Sequence, residues 1–379
     1  MHGMRMQWSA ISVRSIAAAG ALESALAVGG AVAACSPSHS TATPGDGGVD
    51  GGDAAPEAPA WTPILEHLDG ALLSVWGTSE RDVWAVGGPL GNSGFEALVM
   101  RYDGTAWRRL PAGGMETFWW VHGTSATDVW LVGEKGRIAH WDGLRLEERV
   151  SGTSATLFGV WAASPNDAWA VGGVPDQPSG PNDVVLHWDG NAWTPEVLPE
   201  TKKVALFKVW GSSKDDIYVV GEAGLVWHRT KGPWTREADG VAKGRLTTVT
   251  GCSASEVLVV GGRDLLTSDG AAGWKRSDAV LVNDVNGVAC APSGAPARDY
   301  GRAVIVGGGS LKLRLVGDRW ESDFGTKPFE DLHGAWVDPT GAFWGVGGKF
   351  NETARAGVSR QGVVARLGPG TVTRSIEKK

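Results

Sequence analysis

Cysteine and tyrosine are scarce in this 379-residue chain, with three of each. Beyond its extreme N-terminus the chain has no long segment whose apolar residues recur at the 3.6-residue period of a helix. It has no Cys/His metal-ligand spacing, no phosphate loop and no serine-nucleophile motif, so metal, cofactor and enzyme roles have nothing to start from. A basic stripe is missing too. Residues 61–379 carry 33 Lys and Arg against 37 Asp and Glu, a net charge of −4. Such a balance offers nothing to neutralise phosphates, and nucleic acid is excluded as a partner. What is abundant is Gly, with 56 residues, and Trp, with 20. Aromatic residues favour strands and glycine favours tight turns, so the mixture predicts an all-β protein rich in hairpins.

The first 34 residues read as an address. Arg5 and Arg14 precede an apolar, Ala-rich stretch from Ile16 to Ala34, which meets Cys35. A basic region followed by an apolar run too short for a stable span is an export signal, here residues 1–34. The run Val32-Ala33-Ala34-Cys35 resembles the lipobox of bacterial lipoproteins. That resemblance implies that Cys35 is acylated and that the protein faces the periplasm or the cell surface on a lipid anchor. Glu23 inside the apolar run keeps plain secretion open as the alternative. Residues 35–60 combine the Cys with a Gly/Asp/Pro/Ser stretch that has almost nothing to bury, which predicts a flexible tether.

The remaining residues, 61–379, are repetitive. The glycine that ends a recurring V-W-A-V-G segment stands at Gly87, Gly133, Gly172, Gly221, Gly261, Gly307 and Gly347. Spacings of 39 to 49 residues match one four-stranded propeller blade. The copies VWGTSERDVWAVG, VHGTSATDVWLVG, VWAASPNDAWAVG and VWGSSKDDIYVVG are the clearest. In each, an apolar strand and a second strand flank a Ser/Asp-capped turn, a third strand ends in Asp-Gly, and an outer strand begins near a Trp. The expected fold is a single seven-bladed β-propeller of four-stranded antiparallel blades. Its seventh unit lacks an outer strand, which Trp61–Ile64 is expected to supply from the N-terminal side; Thr371–Ile376 is the rival. The repeated Trp residues (Trp76, Trp161, Trp210 and Trp336; Trp84, Trp130, Trp169 and Trp344) are expected to stack between blades.

The repeat resembles the Trp-rich propeller repeats of exported bacterial proteins. It is loosely similar to tectonin repeats, which implies a lectin-like propeller, and in Ser268-Asp269-Gly270 followed by Trp274 to the Asp-box repeats of sialidase-like propellers.

His140, His187 and His228, with Arg101 in the same register, are expected at polar positions between blades, too far apart to share a metal ion. His122 replaces the first-strand Trp of blade two and faces the channel, where it meets a ligand or relieves crowding. Cys252 and Cys290 fall just after the first strands of adjacent blades and form a candidate disulfide. The repeated Asp82, Asp128, Asp167 and Asp216 are explained by turns, and Tyr102, Tyr218 and Tyr300 have no evident carboxylate partner for hydrolysis. The seventh repeat has lost its Asp. Long loops between second and third strands in blades one, three and seven emerge on one face, with Asn92, Phe95, Glu96, Asp176, Asn351, Arg355 and Arg360 as candidate contacts.

These readings converge on a non-catalytic, monomeric, cell-envelope binding or scaffold protein whose partner is an envelope or extracellular protein. A lectin-like module for surface glycans is the alternative, and a degenerate sialidase-like hydrolase the third.

Overall fold

A computed structural model describes residues 60–89, 96–270, 273–279, 281, 283–349 and 362–377. Seven four-stranded antiparallel sheets make a seven-bladed β-propeller. Blade one runs through Gly70–Ser79, Asp82–Pro89, Leu98–Tyr102 and Trp107–Arg109, and blades two to six repeat that order. Among the described residues no helix is long and apolar enough to cross a membrane.

Blade seven is closed from the N-terminal side. Its strands Leu332–Val337, Phe343–Gly347 and Gly362–Leu367 are completed by Thr62–Leu68, with Thr62 opposite Arg366 and Leu68 opposite Gly362. Closure of this kind removes the edge that Gly362–Leu367 would otherwise present. The rival segment goes elsewhere. The Trp107 amide donates to the Ser375 carbonyl at 3.1 Å, and the Glu377 amide donates to the Trp107 carbonyl at 3.0 Å. The C-terminal tail therefore lies parallel on the outer edge of blade one, and the join between blades seven and one is latched by both ends of the domain.

The recurring residues have separate jobs. The glycine that ends each second strand faces a bulge in the first strand: a β-carbon on Gly87 would sit 1.9 Å from the Ala71 carbonyl oxygen, and one on Gly347 equally close to that of Asp331. Side chains of the second-strand tryptophans Trp84, Trp130, Trp169 and Trp344 are fully buried. Each packs across a blade boundary: Trp84 on Trp141 at 5.4 Å, Trp130 on Trp193 at 5.2 Å, Trp169 on Trp234 at 5.7 Å and Trp344 on Trp107 at 6.5 Å. Burial of about 200 Å² per ring gives each contact roughly 5 kcal/mol of transfer free energy, an upper estimate.

First-strand tryptophans form a second row, nearer the axis. Each lies against the first-strand glycine of the next blade: Trp336 on Gly77, Trp76 on Gly123, Trp161 on Gly211 and Trp210 on Gly251. A β-carbon on any of these glycines would stand 2.9 Å or less from the indole, so the Trp knob and the Gly socket are a matched pair. Blade two has His122 where the knob belongs and blade three has Ala162 where the socket belongs; the Ala162 amide donates to His122 Nδ1 at 3.1 Å. Blade five has Thr250 as its knob, and there Cys252 is bonded to Cys290, which fills the socket of blade six, with Cα atoms 5.0 Å apart. Both cysteines lie within the first strands and not after them.

Candidate functional site

The turn aspartates do two things. Asp82 accepts from the Thr78 hydroxyl at 2.8 Å, which caps the hairpin, and pairs with Arg101 at 3.2 Å. In the next three blades the third-strand histidines take the place of Arg101. His140 Nε2 meets Asp128 at 2.7 Å, His187 Nε2 meets Asp167 at 2.9 Å and His228 Nε2 meets Asp216 at 2.6 Å. Each imidazole also stacks on the second-strand aromatic ring of its own blade, at 4.1 Å on Trp130, 4.2 Å on Trp169 and 3.9 Å on Tyr218. The polar bond stays within the blade, because the His and the Asp sit on hydrogen-bonded neighbouring strands. Among the described residues no three metal-ligating side chains are grouped to hold an ion.

In blade seven the Asp is displaced along the chain and retained in function. Asp338, fully buried, accepts from the Thr340 amide at 2.8 Å, the Ala342 amide at 3.1 Å and Trp344 Nε1 at 2.9 Å. The aligned position is Ala342, so the repeat has lost its Asp there, and Asp338 takes over the role from the other end of the turn.

One blade boundary is open. At three boundaries a third-strand side chain of the following blade covers the aromatic ring of the blade before it: Trp141 covers Trp84, Trp188 covers Trp130 and Arg229 covers Trp169. Blade five places Ser268 in that register, opposite Trp274. The missing bulk leaves a groove of about 1020 Å³ between blades four and five. Its walls are Tyr218, His228 and Glu237 on one side and Trp274 on the other, with the hydroxyls of Ser212, Ser213, Thr230, Ser253, Ser255 and Ser268 around them.

The groove holds a charged relay. His228 Nδ1 lies 2.7 Å from Glu237 and Nε2 lies 2.6 Å from Asp216. Carboxylates only accept, so both ring nitrogens donate and the ring is an imidazolium. Desolvation opposes that charge, but the bonds to Glu237 and Asp216 outweigh it and hold His228 above the usual imidazole range. Glu237 is held below the usual carboxylate range, first by His228 and also by Trp274 Nε1, which donates to it at 2.7 Å. Burial and the two carboxylates raise Tyr218 far above its ordinary value, which makes the phenol a poor nucleophile. Asp216 and Glu237 are themselves bonded to His228. The sequence carries one signal for this groove, the substitution of Ser268 into a slot that holds Trp in blades two and three.

A second cavity, of about 330 Å³, lies on the axis among Trp76, Trp120, His122, Trp161, Trp210 and Trp336. Desolvation holds His122 down at about 4, with the Asp128 charge a smaller opposing influence. Close by, Lys208 is buried, with Nζ donating to the Phe158 carbonyl at 2.8 Å and lying 3.7 Å from the centre of the Trp120 ring. Burial lowers it to about 7.

Of the contacts expected on the loop face, Glu96 and Asp176 are placed. The Glu96 carboxylate accepts the Ala112 amide at 3.0 Å, which ties its loop to the connection into blade two. Asp176 pairs with Arg245 at 2.9 Å, and Arg245 also pairs with Glu222 at 2.9 Å, so the blade-three loop reaches across to the entrance of blade five. Asn92, Phe95, Asn351, Arg355 and Arg360 lie outside the described residues, as does Cys35.

No protein-family model matches the sequence, and no curated protein matches it. Solved structures do. YCF48 bound to a D1 peptide superposes with a TM-score of 0.56 at 15% identity, covering 82% of this chain and 97% of that one. A streptogramin B lyase gives 0.61 at 10% identity over 82% and 98%. YCF48 from Cyanidioschyzon merolae gives 0.57 at 14% identity over 83% and 100%. At these identities the likeness is one of fold: the seven-bladed β-propeller carries a peptide binder and a lyase alike.

Proposed function

We propose that this chain is a non-catalytic binding propeller of the bacterial cell envelope, exported, held by a lipid on Cys35, and engaging a protein partner through the face on which its long loops emerge. Exposed apolar side chains on that face carry the reading. In an antiparallel four-stranded blade, the connections from second to third strands and from one blade to the next all leave on the same side. Among the described residues six large apolar side chains are exposed, and Met115, Val150, Val197 and Phe329 all sit in blade-to-blade connections of that side. The strand ends that flank the long connections of blades one, three and seven lie on the same side. Four of the six apolar side chains lie on this one side, and that asymmetry favours it as the surface for a protein. The peptide bound by YCF48 supports the general kind of partner. The disulfide supports export, since such bonds persist in oxidising compartments.

The test places photo-crosslinking side chains at Val150 and Val197 on the loop face and at Leu144 on the opposite, hairpin face of the full chain in its native envelope. One shared partner protein captured from Val150 and Val197 but not from Leu144 is the expected result. Equal capture from both faces, or none from the loop face, overturns the reading. Lipid anchoring is checked separately: C35S should move the protein from the membrane fraction to the soluble one.

A further inference from the structure

We propose that the groove between blades four and five is a saccharide-binding site, independent of the protein contact proposed above. Its origin is an exception in the framework. Where Trp141 and Trp188 plug the equivalent boundaries, Ser268 leaves the boundary of blades four and five open.

The lining decides the class of ligand. An anionic ligand would meet Asp216 and Glu237 at the groove wall, with His228 already committed to both of them. The same commitment disfavours a cation, which would have to displace the imidazolium, and Asp239 at the rim is paired with Arg236 at 2.5 Å. An apolar ligand would cover the polar groups of the lining, among them Asp216, Glu237 and the hydroxyls of Ser213, Thr230 and Ser268, and return nothing to them. A neutral polyol satisfies all of these conditions at once. Each carboxylate oxygen that accepts one proton from His228 or Trp274 keeps a lone pair for a sugar hydroxyl. Ser213 and Ser268 use their oxygens to accept turn amides, from Asp215 and Gly270, and a hydroxyl that accepts still has its own proton to donate. The half-buried Trp274 ring supplies the apolar wall against which the C–H face of a pyranose packs. Its indole is fixed by the bond to Glu237, so little ordering cost remains when the ligand arrives.

The full chain on a glycan array, followed by calorimetric titration of the strongest hit, tests the site. S268W restores the residue found in blades two and three, so it should close the groove without disturbing the fold. The expected result is binding by the wild type, at least a tenfold loss in S268W with an unchanged melting temperature, and a loss of several-fold in E237Q. If S268W unfolds, E237Q and W274F decide the matter, since E237Q keeps the side-chain shape while removing its charge and W274F keeps an aromatic wall while removing the indole N–H. No saccharide bound at millimolar concentration overturns the proposal. So does binding that S268W, E237Q and W274F all leave intact, or binding only of lysine- or arginine-rich peptides in the same groove.

Discussion

The indole of Trp76 in blade one lies so close to Gly123 of blade two that a β-carbon on Gly123 would stand 2.9 Å from it. Wherever the knob is Trp, the socket is Gly. Where the knob is His122, the socket has become Ala162 and a hydrogen bond of 3.1 Å replaces the ring contact. The two substitutions read as one change in packing.

That pairing predicts a strongly non-additive double-mutant cycle. H122W alone should destabilise by about 1–3 kcal/mol, because the ring meets the Ala162 methyl. A162G alone should cost about 1 kcal/mol through chain entropy. The double variant H122W/A162G should regain most of the loss, a coupling of about 1–2 kcal/mol in urea denaturation. Additive losses would show that the two residues do not share a packing unit.

The cross-link between blades five and six closes a segment of 38 residues. Loop-closure entropy puts its stabilisation near 4 kcal/mol as a ceiling. C252S/C290S should therefore lower the melting temperature by several degrees, and dithiothreitol should do the same to the wild type and nothing to the variant. Equal response of both proteins to the reductant would refute a stabilising bond.

His122 sets an acid limit. Its folded-state pKa is about 4 against an ordinary value of 6.5, so below pH 6.5 the unfolded chain takes a proton that the folded chain refuses. Stability is unaffected above pH 6.5 and falls as the pH drops from there toward 4, by at most about 3 kcal/mol from this residue. His333, also lowered by desolvation, adds in the same direction. His228, which is raised, acts oppositely: its contribution is complete below the ordinary imidazole value and is lost as the pH climbs through its folded value. Chemical denaturation of H122Q should show a smaller loss between pH 7.5 and 4.5 than the wild type.

Lys208 is a buried cation with one carbonyl acceptor and a π face. With its pKa lowered from 10.5 to about 7, the unfolded chain binds the extra proton between pH 7 and 10, and wild-type stability rises with pH across that window. K208M should be more stable than wild type by about 2 kcal/mol at pH 6, with the gain shrinking toward pH 10. Thermal melts at the two pH values check both the sign and the trend.

Removal of residues 1–69 should expose the Gly362–Leu367 edge and, with it, the buried side chains Ile64, Leu65 and Leu68 would be lost from blade seven. A fall in melting temperature of ten degrees or more with self-association in light scattering is expected. Removal of residues 371–379, which takes away the tail on blade one, the Val372 contact with the core and the Arg108–Glu377 pair, should cost about 1–3 kcal/mol.

The sequence determined the architecture because propeller repeats write their packing locally. The end-of-strand glycines Gly87 to Gly347, the Trp at fixed register and the Ser/Thr-x-x-Asp turns each recur once per repeat at a fixed spacing, so counting them counts blades. The closing strand was legible for the same reason, as an unpaired Trp61–Ile64 before an incomplete seventh unit. What only the tertiary structure decided lies across blade boundaries, where the partner is about forty residues away and belongs to another repeat. The match of Trp to Gly, the exchange of both at His122 and Ala162, and the cysteine that fills the socket of blade six become visible only when neighbouring blades are in contact. The groove is of this kind. Ser268 looks like an ordinary turn residue in its own repeat, and it makes a cavity only because Tyr218, His228 and Glu237 of the preceding blade are brought opposite it.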